Sequence, residues 1–195
     1  RMPVADFESI VIGAGQAGPG VAVRWASQGG VALVEQDRVG GTCLNSGCRP
    51  SKTLRASAHV AHLARHSSAF GVDTGPVRVD LAAVVARKDA LVDTWRSGLR
   101  TYLEATDGLT LIEGRARFTG TDGDGRHRVE VTGADGEVRE LRAPRVALDV
   151  GARSVPPDLP GLDGVPWLDH HGILDLTELP EHLVVLGGSN WAERS

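Results

Sequence analysis

Two cysteines make up the whole thiol complement of this 195-residue chain, and they fall close together in GGTCLNSGCRPSK, residues 40–52, with four residues between Cys43 and Cys48. Such a pair can ligate a metal, close a disulfide that braces a loop, or cycle between thiols and disulfide and so carry electrons. A zinc site needs two further ligands, and structural zinc pairs are more often two to four residues apart. His59, His62 and His66 are the candidates, stacked on one helix face by their spacing. Histidines so placed are far more often solvated or satisfied than ligating, and no metal site is expected. A disulfide closing so short a loop removes little entropy from the unfolded chain, and it would be unusual in a cytoplasmic protein. The redox alternative asks for a cofactor nearby, so the elements around the cysteines carry the next step.

Upstream, FESIVIGAGQAGPGVAVRWASQGGVALVEQD reads as a short apolar strand from Ser9 to Ile12, a glycine turn, an Ala/Val-rich helix and a second strand from Val31 to Glu35. Uninterrupted apolar strands of this kind belong in a buried parallel sheet. Gly13, Gly15 and Gly18 form G-x-G-x-x-G between strand and helix. The first glycine permits a tight turn, the second lets a pyrophosphate approach the backbone, and the third lets helix and strand pack closely. Unpaired amides and the positive end of the helix dipole then favour phosphate. Glu35, 22 residues after Gly13, stands where an acid accepts hydrogen bonds from an adenosine ribose. The pattern by itself does not separate FAD from NAD. Because the cysteines follow soon after this strand, they are expected beside the dinucleotide, which favours redox chemistry.

Further along, SKTLRASAHVAHLARHSSAF has helical composition up to Gly71, and a longer helix is expected from Asp80, with Leu81, Val84, Val85, Leu91, Val92, Trp95, Leu99 and Leu103 at helical spacing. These two helices are expected to pack together. LTLI, RARF, HRVEVTG, EVRELRA and RVALDVG then read as short strands, with turn chemistry at Ala134, Asp135 and Gly136. The Pro/Gly-rich ARSVPPDLPGLDGVP is a connector, and EHLVVLGGS starts a second strand and glycine turn. With a net charge of −4 and no basic stripe, no nucleic-acid partner is expected. No apolar run approaches the roughly 20 residues that span a bilayer, and no signal pattern opens the chain, so no membrane partner and a cytoplasmic location are expected.

The cysteine stretch closely resembles the redox-active loop of the class I pyridine nucleotide-disulfide oxidoreductases, GGTC-x-N-x-GC-x-P-[ST]-K, the family of dihydrolipoamide dehydrogenase and mercuric reductase. HLARHSSAFGV, GPVRVDLAAVVARKDALV and the stretch from VPPDLPGLDGVPWL to LPEHLVVLGGS carry the likeness to mercuric reductase-like members, over residues 7–189. The resemblance implies FAD in the first cradle, NAD(P)H as its reductant, a small-molecule or dithiol electron acceptor, and a homodimer. It implies that Cys48 faces the flavin and Cys43 meets substrate. The dipole of a helix starting near Ser51 suits a thiolate at Cys48. It further implies that Thr42, Lys52, the backbone of Ala116 and Gly151 contact FAD.

The fold implied is α/β: a doubly wound, Rossmann-type FAD-binding domain of the glutathione-reductase type over residues 1–182, with a small antiparallel meander near residues 115–142. Residues 183–195 would open an NAD(P)-binding domain that is not completed. Both ends read as cut, since Arg1 precedes Met2 and the last residues, NWAERS, depart from the expected continuation. A non-catalytic flavin-binding fragment is therefore the alternative to a disulfide oxidoreductase. Other departures are Arg49, where the family has an apolar residue or threonine, and Asp149 and Val150, where it has a small residue and threonine. An anionic Asp149 turned toward FAD phosphates would weaken binding, so its side chain is expected to face elsewhere.

Overall fold

The computed structural model describes residues 3–187 and starts with a strand that no hydrophobic pattern marks, β1 (Val4–Asp6), exposed along its length. In chain order there follow β2 (Ser9–Ile12), α1 (Gly18–Ala26), β3 (Val31–Glu35), α2 (Gly41–Asn45), α3 (Cys48–Arg65) and α4 (Leu81–Glu104). Then come β4 (Leu109–Glu113), β5 (Arg115–Thr121), β6 (His127–Thr132), β7 (Val138–Ala143) and β8 (Val146–Leu148). They fold as two compact units, Arg1–Asn45 with Trp95–Arg153, and Ser46–Thr94 with Ser154–Ser195. The chain leaves the first unit after α2 and returns to it along α4.

The first unit is built on a parallel sheet in the order β4-β3-β2-β8. Alternation along its strands sends Val11, Val31 and Leu33 to one face and Ile10, Ile12, Ala32 and Val34 to the other. The first face packs on Ala22 and Trp25 of α1 and on Leu99 and Leu103 of α4. The second packs on Val129, Val131, Leu141 and Ala143 of the expected meander, where β5, β6 and β7 pair antiparallel. Strand β1 extends that meander by pairing parallel with β7, in the order β1-β7-β6-β5. Fully burying a side chain such as Leu33 or Leu141 stabilises by about 2 kcal/mol each, so both faces contribute to stability. Pro19 stands at the start of α1, where its missing N–H costs nothing.

The cysteine stretch was expected as a loop leading to a helix near Ser51, and the structure corrects this: it is helical in two pieces. Asn45 Nδ2 donates to the carbonyls of Val39 and Gly41, both at 3.0 Å, and so ties the single turn of α2 to its approach. Gly47 takes a non-helical conformation that separates the pieces, and α3 begins at Cys48 itself. Ser51 Oγ donates to the Gly47 carbonyl at 2.6 Å, and Pro50 sits in the first turn, which needs no amide from it.

In the second unit α3 ends at Arg65 and a 3-10 turn, Ser67–Phe70, closes on Gly71 with a positive φ of 74°. Asp80 Oδ1 caps the start of α4 by accepting the Ala83 amide at 3.0 Å. The expected meeting of the two helices is carried by Arg87, whose Nη1 donates to the Thr53 carbonyl at 3.4 Å and reaches Ser57 Oγ at 3.5 Å. Lys88 is buried, and its three ammonium protons have three acceptors: the Leu174 carbonyl at 2.8 Å, Asp89 Oδ1 at 3.0 Å and Asp175 Oδ1 at 3.1 Å. The strand expected in EHLVVLGGS does not form within residues 181–187, where Leu183 to Leu186 are exposed. A strand needs a neighbour to take its backbone groups, and no described strand pairs with this segment. The second glycine of that turn and the residues after it lie outside the described residues.

Candidate functional site

In the parallel sheet the chain passes from β2 to β3 and β4 on one side, then returns as β8 on the other. The strand order therefore reverses at β2, and the crevice beyond the carboxyl ends of β2 and β8 is where an open α/β sheet binds its ligand. Gly13 leaves β2 with φ +98°, and a Cβ there would lie 2.2 Å from the Asp149 carbonyl oxygen. A Cβ at Gly18 would lie 2.0 Å from the Gly13 carbonyl oxygen, so helix and turn approach at a distance only glycine allows. A Cβ at Gly15 would lie 2.8 Å from Asp149 Oδ2.

Glu35 closes one side of this turn. Its Oε2 accepts the Ala14 amide at 2.7 Å and its Oε1 accepts the Asp37 amide at 3.0 Å. The Cys43 segment closes another. The Gly40 amide donates to the Ala14 carbonyl at 2.7 Å, Gln16 Nε2 donates to the Gly40 carbonyl at 3.4 Å, and a Cβ on Gly41 would lie 2.8 Å from Gly15 Cα. The first unit thus brings together Gly13, Gly15, Gly18, Glu35 and the start of α2, where Thr42 is exposed and Cys43 half-buried. Gly151, exposed with φ +65°, follows β8 three residues beyond its end. Ala116 is elsewhere, on β5 with its side chain against the core. Cys48, half-buried, and Lys52, exposed, belong to α3 in the second unit.

Asp149 overturns its expectation. Its Oδ2 accepts the Gly18 amide at 2.7 Å and the Ala17 amide at 3.2 Å, so the carboxylate caps the N-terminus of α1 instead of turning away. The first-turn amides have no intrahelical partner and carry the positive end of the dipole, which makes a nearby carboxylate their natural acceptor. Asn45 was also missed as a positioning residue: besides its two donated bonds, its Oδ1 accepts from Arg96 Nη1 at 3.2 Å. Nothing but its place inside the cysteine stretch could have drawn attention to it.

The histidines of α3 do not gather with the cysteines. His59, His62 and His66 are exposed, and the rings of His62 and His66 lie 4.2 Å apart. Among the described residues the grouping with possible metal-ligand atoms is Asp169, His170 and His171, within 4.8 Å of one another. Asp169 there caps a turn, accepting the amides of His171 at 2.9 Å and Gly172 at 3.0 Å. The Gly172 bond foremost, then that of His171, holds its carboxyl below the usual range. Burial pushes the His170 imidazole down, and Ser154 Oγ lies 3.0 Å from its Nδ1.

The family model of the pyridine nucleotide-disulphide oxidoreductases matches residues 7–192. The chain belongs to that family. It is 36% identical over 183 residues to the mercuric reductase of Bacillus cereus, covering 93% of this chain and 27% of that protein. It is 41% identical over 182 residues to the dihydrolipoyl dehydrogenase of Halobacterium salinarum, covering 91% of this chain and 37% of that protein. Among solved structures, the HOCl-induced flavoprotein disulfide reductase RclA from Escherichia coli superposes with a TM-score of 0.77 at 30% identity, over 96% of this chain and 38% of that one. LpdA from Mycobacterium tuberculosis gives a TM-score of 0.75 at 31% identity, over 89% and 38%. The chain thus spans well under half the length of these relatives, and its fold is the Rossmann-type, FAD-binding one of flavoprotein disulfide reductases. No helix among its described residues is long and apolar enough to cross a membrane.

Proposed function

We propose that the chain binds FAD in the first cradle and acts as the disulfide-bearing part of a flavoprotein oxidoreductase, with Cys43 and Cys48 as its exchanging thiols. The observation that carries the reading is the join between cradle and cysteine segment: Gly40 is hydrogen-bonded to Ala14, and Gly41 backs onto Gly15, two residues before Cys43. Gly13, Gly15 and Gly18 are the pattern that brings a diphosphate to the start of a helix, and Glu35 offers a carboxylate to the adenosine ribose. When bound, FAD supplies a two-electron carrier able to reduce a disulfide. The residues carried over from the family as further contacts are Thr42, Lys52, Ala116 and Gly151. Cys48 is the flavin-facing thiol of this reading and Cys43 the thiol that meets an acceptor, a dithiol or a small molecule. NAD(P)H as reductant, a homodimeric whole protein and a cytoplasmic setting belong to the same proposal.

The test is an anaerobic dithionite titration of the FAD-loaded chain beside Cys43→Ser and Cys48→Ser. The parent should take up twice the reducing equivalents of either variant, because each serine removes the disulfide and leaves the flavin. Equal uptake by all three chains sinks the redox assignment.

A further inference from the structure

The Asp149 carboxylate lies at the N-terminus of α1, the end of a helix whose unpaired amides favour phosphate in a fold of this type. Oδ2 takes the amides of Gly18 at 2.7 Å and Ala17 at 3.2 Å, and a Cβ at Gly15 would begin 2.8 Å from the same oxygen. The hollow left by the glycines is therefore filled by an anion belonging to the chain. The sheet sets this geometry. The Asp149 amide donates to the Ile12 carbonyl at 2.7 Å, which carries the β2–β8 ladder one residue past β8 and holds Asp149 over the point where the strand order reverses.

We propose that Asp149 is an internal anion that competes with the diphosphate of FAD for the N-terminal amides of α1, so that the chain takes up flavin only by displacing its own carboxylate. The inference rests on the flavin reading above. An N–H directed at one oxygen is lost to a second, and two like charges brought to one pair of donors repel. Displacement is feasible because Asp149 is half-buried and its side chain can turn to solvent while the Ile12 bond keeps its backbone in place. Asp149 thereby lowers flavin affinity in a site whose glycines and Glu35 otherwise suit the cofactor.

The test is calorimetric titration of the flavin-free chain, Asp149→Asn and Asp149→Ser with FAD, ADP, inorganic pyrophosphate and riboflavin. Both variants should bind FAD, ADP and pyrophosphate about tenfold or more tightly than the parent, since a charge-assisted bond is removed from the competitor, and riboflavin binding should be unchanged. Affinities within twofold across all three chains overturn the competition while leaving the flavin reading in place. A gain for pyrophosphate in chains that never bind FAD supports the competition and sinks the flavin reading. Should the variants fail to fold, the isotopically labelled parent decides by NMR. Pyrophosphate should move the Gly18 and Ala17 amide signals together with the Asp149 carboxylate carbon, and a carboxylate signal that stays still while the amides shift overturns the proposal.

Discussion

Glu35 Oε2 accepts the Ala14 amide at 2.7 Å, joining the end of β3 to the turn after β2 across 21 residues of sequence. The carboxylate is thus held by the turn that forms the cradle, with a second bond from the Asp37 amide orienting its other oxygen. Replacing Glu35 with Ala should cost about 1–2 kcal/mol of stability, because the Ala14 amide loses a charged acceptor. It should also weaken FAD binding about tenfold. FMN, which lacks the adenosine ribose, provides the control: fluorescence titration should find its affinity within twofold of the parent. An equal loss for FMN would mean that Glu35 acts on the whole cradle rather than on the ribose.

Gly18 and Gly20 are two residues apart on α1 and should respond oppositely to alanine. A Cβ at Gly18 would meet the Gly13 carbonyl oxygen at 2.0 Å, backbone that cannot yield cheaply, whereas nothing lies within 4 Å of a Cβ at Gly20. Urea denaturation should find Gly18→Ala destabilised by about 3 kcal/mol. Gly20→Ala should be stabilised by about 0.5–1 kcal/mol, since alanine loses less entropy than glycine in a helix.

Asp149 should stabilise the flavin-free chain even while it opposes flavin. Asp149→Asn removes the charge that caps α1, and chemical denaturation without flavin should show a loss of about 1 kcal/mol. Unchanged stability would mean that the carboxylate gains nothing from the helix terminus.

Glu140 is 1% exposed and accepts from Arg128 Nε at 3.0 Å and from Arg142 Nε at 2.6 Å. Hydrogen bonds from Arg128 first, then from Arg142, hold its carboxyl below the usual range. A lowered folded-state pKa gives stability that is present above the unfolded carboxyl value and is lost as pH falls through the folded one. Glu140→Gln should therefore be less stable than the parent at neutral pH by about 1–2 kcal/mol, a figure kept modest because both guanidinium groups reach solvent. Thermal melts should show the gap closing below about pH 4. A gap independent of pH would assign the loss to packing alone.

The βαβ start and the meander were legible because their patterns are local. Ile10–Ile12 and Val31–Val34 are uninterrupted apolar runs, each with a glycine at one end, and Asp135 and Gly136 announce a turn between alternating strands. The helical form of the cysteine stretch was not legible, since α2 depends on Asn45 reaching the carbonyls of Val39 and Gly41. Edge strand β1 was hidden for a related reason: Val4–Asp6 is exposed throughout and is a strand only because β7 lies beside it. Lys88 gave no sign of burial, because its acceptors Leu174 and Asp175 come 86 and 87 residues later.

From its residues alone this chain determined its family-like cysteine spacing, its glycine cradle with an acid at the end of the next strand, and its alternation of helix and strand. Each is written in neighbouring residues and needs no partner from afar. Tertiary structure decided which way Asp149 points. Its 131-residue separation from Gly18 is closed only when β8 docks beside β2 and the ladder to Ile12 sets the direction of the side chain. A carboxylate that repulsion from a bound phosphate was expected to turn away is drawn in because unpaired amides at a helix start attract an anion within reach.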